Sequence, residues 1–167
     1  GYSSVMFDGS SLPLKENILG TKRVVDYARA RNVSVEAELG TVGGTEDGIA
    51  VSQDDACYTD PEDAVEFVKQ TGIDALAVAI GTSHGQYKSK TNISFERLKE
   101  LQEVVDIPLV IHGGTGVKDE DVKRVIDLGI RKFNVGTELL VGWNRKSREC
   151  YDEHRENISN RDNVVPC

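Results

Sequence analysis

The chain lacks any apolar run long enough to cross a bilayer, any excess of basic residues and any cysteine pattern. Each absence removes a class of function. A membrane-spanning helix takes about 18 consecutive apolar residues, and no stretch approaches that. Lys and Arg number 20 against 28 Asp and Glu, a formal net charge of −8. Nucleic-acid binders need clustered Lys and Arg to neutralise phosphates; here the charges lie in mixed-sign clusters, so no nucleic-acid and no membrane partner is expected. Cys57, Cys150 and Cys167 are odd in number, widely spaced and without CxxC spacing. Neither a disulfide framework nor a thiolate zinc site follows, and three reduced thiols in a cytoplasmic protein are expected. No secretory leader is visible. Aromatics are scarce at 6%, yet 38% apolar residues in 167 supply the core of one ordinary domain, residues 1–167.

What is present is a repeated order: a short apolar run, a Gly-rich or polar loop, then a stretch of helical period. The runs are Ser4 to Phe7, Ser34 to Glu38, Ala75 to Ile80, Pro108 to Ile111 and Lys132 to Val135. Short Val- and Ile-bearing runs between helices indicate buried parallel strands. Leu14 to Ala30 places Leu14, Ile18, Val25 and Ala28 on one face. Phe95, Leu98, Leu101 and Val105 form a second stripe, and Val122, Val125 and Ile126 a third. Asp60-Pro61 reads as N-cap and first helical residue, and Gly72 and Gly129 as helix stops. A last helix is expected from Thr137 to Asn157. No hairpin is expected anywhere.

Alternation of this kind leaves a doubly wound sheet or a (β/α)8 TIM barrel. Asp8, Glu38, His84, His112 and Asn134 each fall at the C-terminal end of a different strand. A barrel draws its chemistry from many strand ends, whereas a doubly wound sheet uses one switch point. The barrel is therefore the expected fold. A complete one has eight strands and about 250 residues, so this chain supplies about five β/α units, the later ones. It opens within a strand and stops in a loop at Asn163-Val-Val-Pro-Cys167. The expectation is part of a longer polypeptide, lacking its N-terminal units and the C-terminal end.

Two histidines, in Gly81-Thr-Ser-His84-Gly85 and Ile111-His112-Gly113-Gly114-Thr115-Gly116, stand at strand ends and precede glycine. Their imidazoles are expected in the barrel mouth, where two nitrogen ligands can share one divalent ion. In Val35-Glu36-Ala37-Glu38 the alternation puts both carboxylates on one side of an internal strand, where they need a cation or a hydrogen-bond network. The loop Gly43-Gly44-Thr45-Glu46-Asp47-Gly48 can carry Glu46 over the site as a proton shuttle. Gly113 to Gly116, and Asn134-Val135-Gly136-Thr137, each precede a helix, and helix-start N–H groups bind phosphate without a basic surface. His154, among charges on the last helix, reads as surface.

These segments, with Ser4-Val-Met-Phe-Asp-Gly-Ser10 and Ala77-Val-Ala-Ile-Gly81, occur in order along nearly the whole chain. They resemble the class II, metal-dependent ketose-bisphosphate aldolases. The resemblance implies a zinc ion held by three histidines, two of them matching His84 and His112. Glu38 matches a glutamate at an alternative or second metal position, for a second divalent or a monovalent cation. It implies Glu46 and Asn134 as catalytic residues, and contacts to a sugar phosphate from Gly85, Lys88, Gly113, Gly114, Thr115, Asn134, Val135, Gly136 and Thr137. It implies cleavage of a ketohexose bisphosphate, with fructose 1,6-bisphosphate ahead of tagatose 1,6-bisphosphate, to dihydroxyacetone phosphate and glyceraldehyde 3-phosphate. A homodimer or homotetramer is implied too. The family's third histidine and the aspartate beside it lie on a strand upstream of this chain. Their absence keeps a second reading in play, a non-catalytic sugar-phosphate-binding or partner-assisting subunit. No Lys stands at a strand end, which argues against a Schiff-base aldolase.

Overall fold

The computed structural model describes residues 1–41, 43–46, 49–51, 58–84 and 93–155. Of 43–46, 49–51, 83 and 84 it describes the backbone alone.

Helix starts and stops follow local chemistry. Helix α1 spans Leu14–Arg29, α2 Pro61–Thr71, α3 Phe95–Val104, α4 Asp119–Asp127 and α5 Thr137–Glu153. Asp60 caps α2, its Oδ1 accepting from the N–H groups of Glu62 at 2.8 Å and Asp63 at 3.3 Å, with Pro61 at the first position. Gly72 ends that helix in the left-handed region at φ 68°. Gly129, at φ 106°, follows the Leu128 cap of α4 and turns the chain into the next strand. Strand β8 therefore begins at Ile130 and ends at Phe133, two residues earlier than the sequence suggested, and Asn134 lies just past it. The last helix ends at Glu153 rather than Asn157, a residue outside those described.

Strands β1 (Ser4–Phe7), β2 (Ser34–Leu39), β5 (Ala75–Val78), β7 (Leu109–Ile111) and β8 (Ile130–Phe133) form one sheet in the order β1-β2-β5-β7-β8. Every neighbouring pair is parallel. Chain order and sheet order coincide and a helix follows each strand, as in successive β/α units of a barrel wall.

The expectation of no hairpin fails. Strands β3 (Gly43–Glu46) and β4 (Ile49–Val51) pair antiparallel, and β3 also pairs parallel with β6 (Ser83–His84), making a second, three-stranded sheet. The register Glu46↔Ile49 leaves residues 47 and 48 between the strands. Their sequence, Asp-Gly, is a strong two-residue hairpin signal.

The register sorts the large sheet into two faces. Val35, Ala37, Leu39, Leu76, Val78, Leu109, Ile111 and Ile130 pack with Ile18, Val25 and Ala28 of α1, Phe67 of α2, Leu98 and Leu101 of α3 and Val125 of α4. This is the hydrophobic core, and it lies on the helix side. Of the expected α4 stripe Val125 is buried, but Ile126 is 49% exposed. The other face carries Met6, Glu36, Glu38, Ala75, Ala77, Val110 and Lys132, joined by Met6↔Glu36, Glu36↔Ala75, Glu38↔Ala77, Ala77↔Val110 and Val110↔Lys132. Helix α5 leaves Leu139, Leu140 and Trp143 exposed. Its buried Cys150 takes part in a disulfide, against the expectation of three reduced thiols.

Candidate active site

The C-terminal ends of the central strands are pinned by side chains reaching from outside the sheet. Asn17, buried in α1, donates its Nδ2–H to the Glu38 carbonyl at 2.9 Å and is itself held by the Thr21 hydroxyl at 3.0 Å. Gly9 is required beside it, because a Cβ there would stand 2.2 Å from Asn17 Oδ1. Thr59 bridges the next gap: its hydroxyl donates to the Leu39 carbonyl and accepts from the Ala79 N–H at 2.8 Å. Strand β2 is thereby fixed against β5 where it carries the two glutamates.

On the inner face, Ala75 and Ala77 beside the glutamates leave room for a ring. His112, one residue past β7, fills it. Its Nε2 lies 2.9 Å from Glu36 Oε1 and its Nδ1 2.9 Å from Glu38 Oε2. All three side chains are buried, and Lys132 of β8 donates from Nζ to the other oxygen of Glu36, Oε2, at 2.6 Å. Burial works against the His112 imidazolium, but hydrogen bonds to Glu36 and then Glu38 outweigh it and raise the pKa to about 9. Burial likewise pushes the Glu36 carboxyl up, while His112 and Lys132 prevail and hold it below its ordinary 4.5. With His112 protonated, both ring N–H groups donate. The carboxylates expected to need a cation thus have one, an imidazolium flanked by an ammonium.

Lys132 was missed at the sequence level. It is the penultimate residue of β8: no lysine stands at the strand end itself, yet this ammonium reaches the site from one residue before it. The available signal was its place on the inner face, in register with Val110. Its amine is paired to a carboxylate as a cation, whereas Schiff-base chemistry uses a neutral amine.

The two glycine-rich loops come together. The Asn134 N–H donates to the Ile111 carbonyl at 2.8 Å, and the Gly114 N–H to the Asn134 carbonyl at 3.0 Å. A Cβ on Gly114 would lie 2.3 Å from Phe133 Cε1 and 2.8 Å from the Asn134 oxygen, so only glycine fits. Thr115 Oγ1 accepts from the Glu138 N–H at 3.2 Å, in the first turn of α5. Gly113, Gly114, Thr115, Asn134, Val135, Gly136 and Thr137 therefore form one surface at the start of α5. By contrast Asp119, Glu120 and Asp121 fill the first turn of α4, which makes that helix start less suited to an anion.

Of the remaining predicted residues, Glu46 and His84 are described by backbone only: Gly44 pairs with His84, and Glu46 stands two residues further along β3. Gly85 and Lys88 lie outside the described residues. Thr82, buried two residues before His84, has a hydroxyl with no hydrogen-bond partner among the described residues. His154 lies at the end of α5 and is exposed, as expected.

Among the described residues, no group of three or more His, Cys, Asp or Glu is arranged to hold a metal ion. The donor types nevertheless suit a divalent cation: His112 has a carboxylate at each ring nitrogen, and an imidazole nitrogen with a neighbouring carboxylate is an ordinary ligand pair. A metal on His112 would take one ring nitrogen in place of its proton, leaving the other on a carboxylate, the usual second partner of a ligating histidine.

A five-stranded parallel sheet with chain-ordered strands, helices on one face and polar groups at its strand ends defines the wall of a TIM barrel. The family described as fructose-bisphosphate aldolase class-II matches residues 1–165, and the chain belongs to that family. A relative named 6-phospho-5-dehydro-2-deoxy-D-gluconate aldolase, from Bacillus licheniformis, is 46% identical over 166 residues, covering 99% of this chain and 56% of its own length. The crystal structure of the YdjI aldolase from Escherichia coli K12 superposes with a TM-score of 0.76 at 37% identity, over 98% of this chain and 56% of that one. A fructose-bisphosphate aldolase from Campylobacter jejuni gives 0.70 at 28% identity, over 98% and 54%. The chain thus spans just over half the length of these relatives and is a partial TIM barrel of the class II aldolase fold.

Proposed function

We propose that the protein is a zinc-dependent aldolase that cleaves a phosphorylated ketose and releases dihydroxyacetone phosphate. The observation that carries this reading is the buried Glu36–His112–Glu38 arrangement at the strand ends, in a chain of the class II aldolase family. His84 and His112 are the zinc ligands this chain contributes, and Glu38 serves the alternative position for a second divalent or a monovalent cation. Bound there, zinc supplies a Lewis acid for the ketone oxygen and for the enediolate charge left when the carbon–carbon bond breaks.

The protein's own residues do the rest. Gly85, Lys88, Gly113, Gly114, Thr115, Val135, Gly136 and Thr137 hold the phosphate end, largely through backbone N–H groups at the start of α5. Asn134, fixed between Ile111 and Gly114, orients the three-carbon unit. Glu46, on the β3–β4 hairpin, exchanges the carbon-bound proton of dihydroxyacetone phosphate. The reaction takes place in the cytoplasm, in carbohydrate metabolism, and is carried out by a homodimer or homotetramer in which residues 1–167 belong to a single domain.

Two substrates are to be separated. A ketohexose 1,6-bisphosphate, fructose ahead of tagatose, is the expectation from the sequence, and 6-phospho-5-dehydro-2-deoxy-D-gluconate appears in the name of the bacillary relative. Both carry a ketone next to a phosphorylated carbon, so the site built here serves either, and the departing aldehyde distinguishes them. The test is release of dihydroxyacetone phosphate from each by the full-length protein, before and after a chelator and after zinc is restored. Chelator-sensitive, zinc-restored cleavage of at least one supports the reading. No cleavage of either by zinc-loaded protein overturns it in favour of the non-catalytic subunit.

A further inference from the structure

The two carboxylates that flank His112 are held differently. Glu36 has a partner on each oxygen, His112 Nε2 on Oε1 at 2.9 Å and Lys132 Nζ on Oε2 at 2.6 Å, which fixes both the position and the plane of its carboxylate. The carboxylate of Glu38 has a single side-chain partner among the described residues, His112 Nδ1. Lys132 reaches inward from a half-exposed place on β8, its side chain 53% exposed, to a carboxylate that is 6% exposed. A buried carboxylate anchored at both ends is costly to move, because either oxygen would be left without a donor. One anchored at a single atom can turn.

We infer that Lys132 is a positioning residue for the metal centre: by clamping Oε2 of Glu36 it keeps Oε1 on the Nε2–H of His112, so that Nδ1, on the Glu38 side, is the nitrogen presented to the metal. This rests on the aldolase reading and adds to it which ring nitrogen binds and what enforces the choice. A histidine whose far nitrogen is tied to a fixed carboxylate has one tautomer and one ring orientation, and loss of such an outer partner weakens metal binding by about 10- to 100-fold. Strand β2, the residue just past β7 and strand β8 each supply one member of the chain Glu36, His112, Lys132. The device therefore depends on the register of the sheet.

The test uses metal-stripped full-length protein and zinc alone, with affinity measured by competition against a chromophoric chelator. Lys132→Met and Glu36→Gln are each expected to weaken zinc binding by about 10- to 100-fold, and Lys132→Arg, which keeps the ion pair, to stay within about threefold of the parent. Because both act through one contact, the double variant is expected to lose no more than the weaker single one. Nitrogen-15 spectra of His112 in the zinc-loaded parent are expected to show a protonated Nε2 and a metal-bound Nδ1. Should Lys132→Met fail to fold, Glu36→Gln and Lys132→Arg still decide. Undiminished affinity in the charge-removing variants, multiplicative losses in the double variant, or zinc on Nε2 would each overturn the proposal and leave the aldolase reading intact. A parent protein that takes up no zinc removes both.

Discussion

The two faces of the five-stranded sheet share the same backbone and obey opposite rules. On the helix side, Leu76, Leu109 and Ile111 are fully buried among side chains of α1 to α4, and stability comes from excluded water and close packing. On the inner side, one residue over in each strand, Glu36 and Glu38 are also buried, yet they are held by charge-assisted hydrogen bonds to His112 and Lys132. The first face tolerates apolar exchange of similar volume. The second tolerates no loss of a partner, because an unpaired buried charge costs several kcal/mol. Side-chain alternation along a strand is what lets fold and chemistry occupy the same segments without mixing.

Substitutions can separate the faces, beginning with the largest effect. Phe67→Ala, at a fully buried position of the helix-side core, should cost about 3–5 kcal/mol in urea denaturation while leaving zinc affinity unchanged. A loss of zinc affinity without loss of stability would break the division. Next is the pH dependence of the metal-free protein. His112 is raised from 6.5 to about 9, so its contribution is fully present below about pH 6.5 and is lost as pH rises through 9. That amounts to roughly 3 kcal/mol. Glu36 is lowered from 4.5, so its contribution is present above that value and is lost as pH falls through the folded-state value. Maximum stability is therefore expected between about pH 4.5 and 6.5, and denaturation of His112→Gln should show no such alkaline loss.

Gly114→Ala addresses the junction of the two faces, where the Phe133 ring presses on the loop. It should cost about 1–3 kcal/mol by overpacking and raise KM for the phosphorylated substrate more than it lowers kcat. The smallest effect is expected at Asp60→Ala, which removes the side-chain cap of α2 and no contact to Glu36, Glu38 or His112. Thermal unfolding should report about 1 kcal/mol, with cleavage rate and zinc affinity untouched.

Much of the helix-side face was legible in the sequence. Ile18, Val25 and Ala28, and Leu98, Leu101 and Val105, are buried where their period put them, because an amphipathic helix has one face to hide. The Asp60-Pro61 start and the Gly72 stop were legible for a more local reason, since caps depend on two or three adjacent residues. The hairpin has its signal in Asp47-Gly48, but the surrounding run of glycine and polar residues reads equally as a loop. The start of β8 was misplaced because Lys132 to Val135 reads as apolar and extended as well as Ile130 to Phe133 does. Only pairing with Leu109 and Ile111 distinguishes the two frames.

By itself the sequence determined the order of β/α units, the place of polar residues at strand ends and the shared side of Glu36 and Glu38. All three follow from periodicities carried within a single segment. Which charges meet was decided by the tertiary structure alone. Glu36 and His112 are 76 residues apart in the chain, and Glu36 and Lys132 are 96 apart. Their contacts exist because parallel register across four strands brings β2, β7 and β8 to one level, and no local pattern encodes that level.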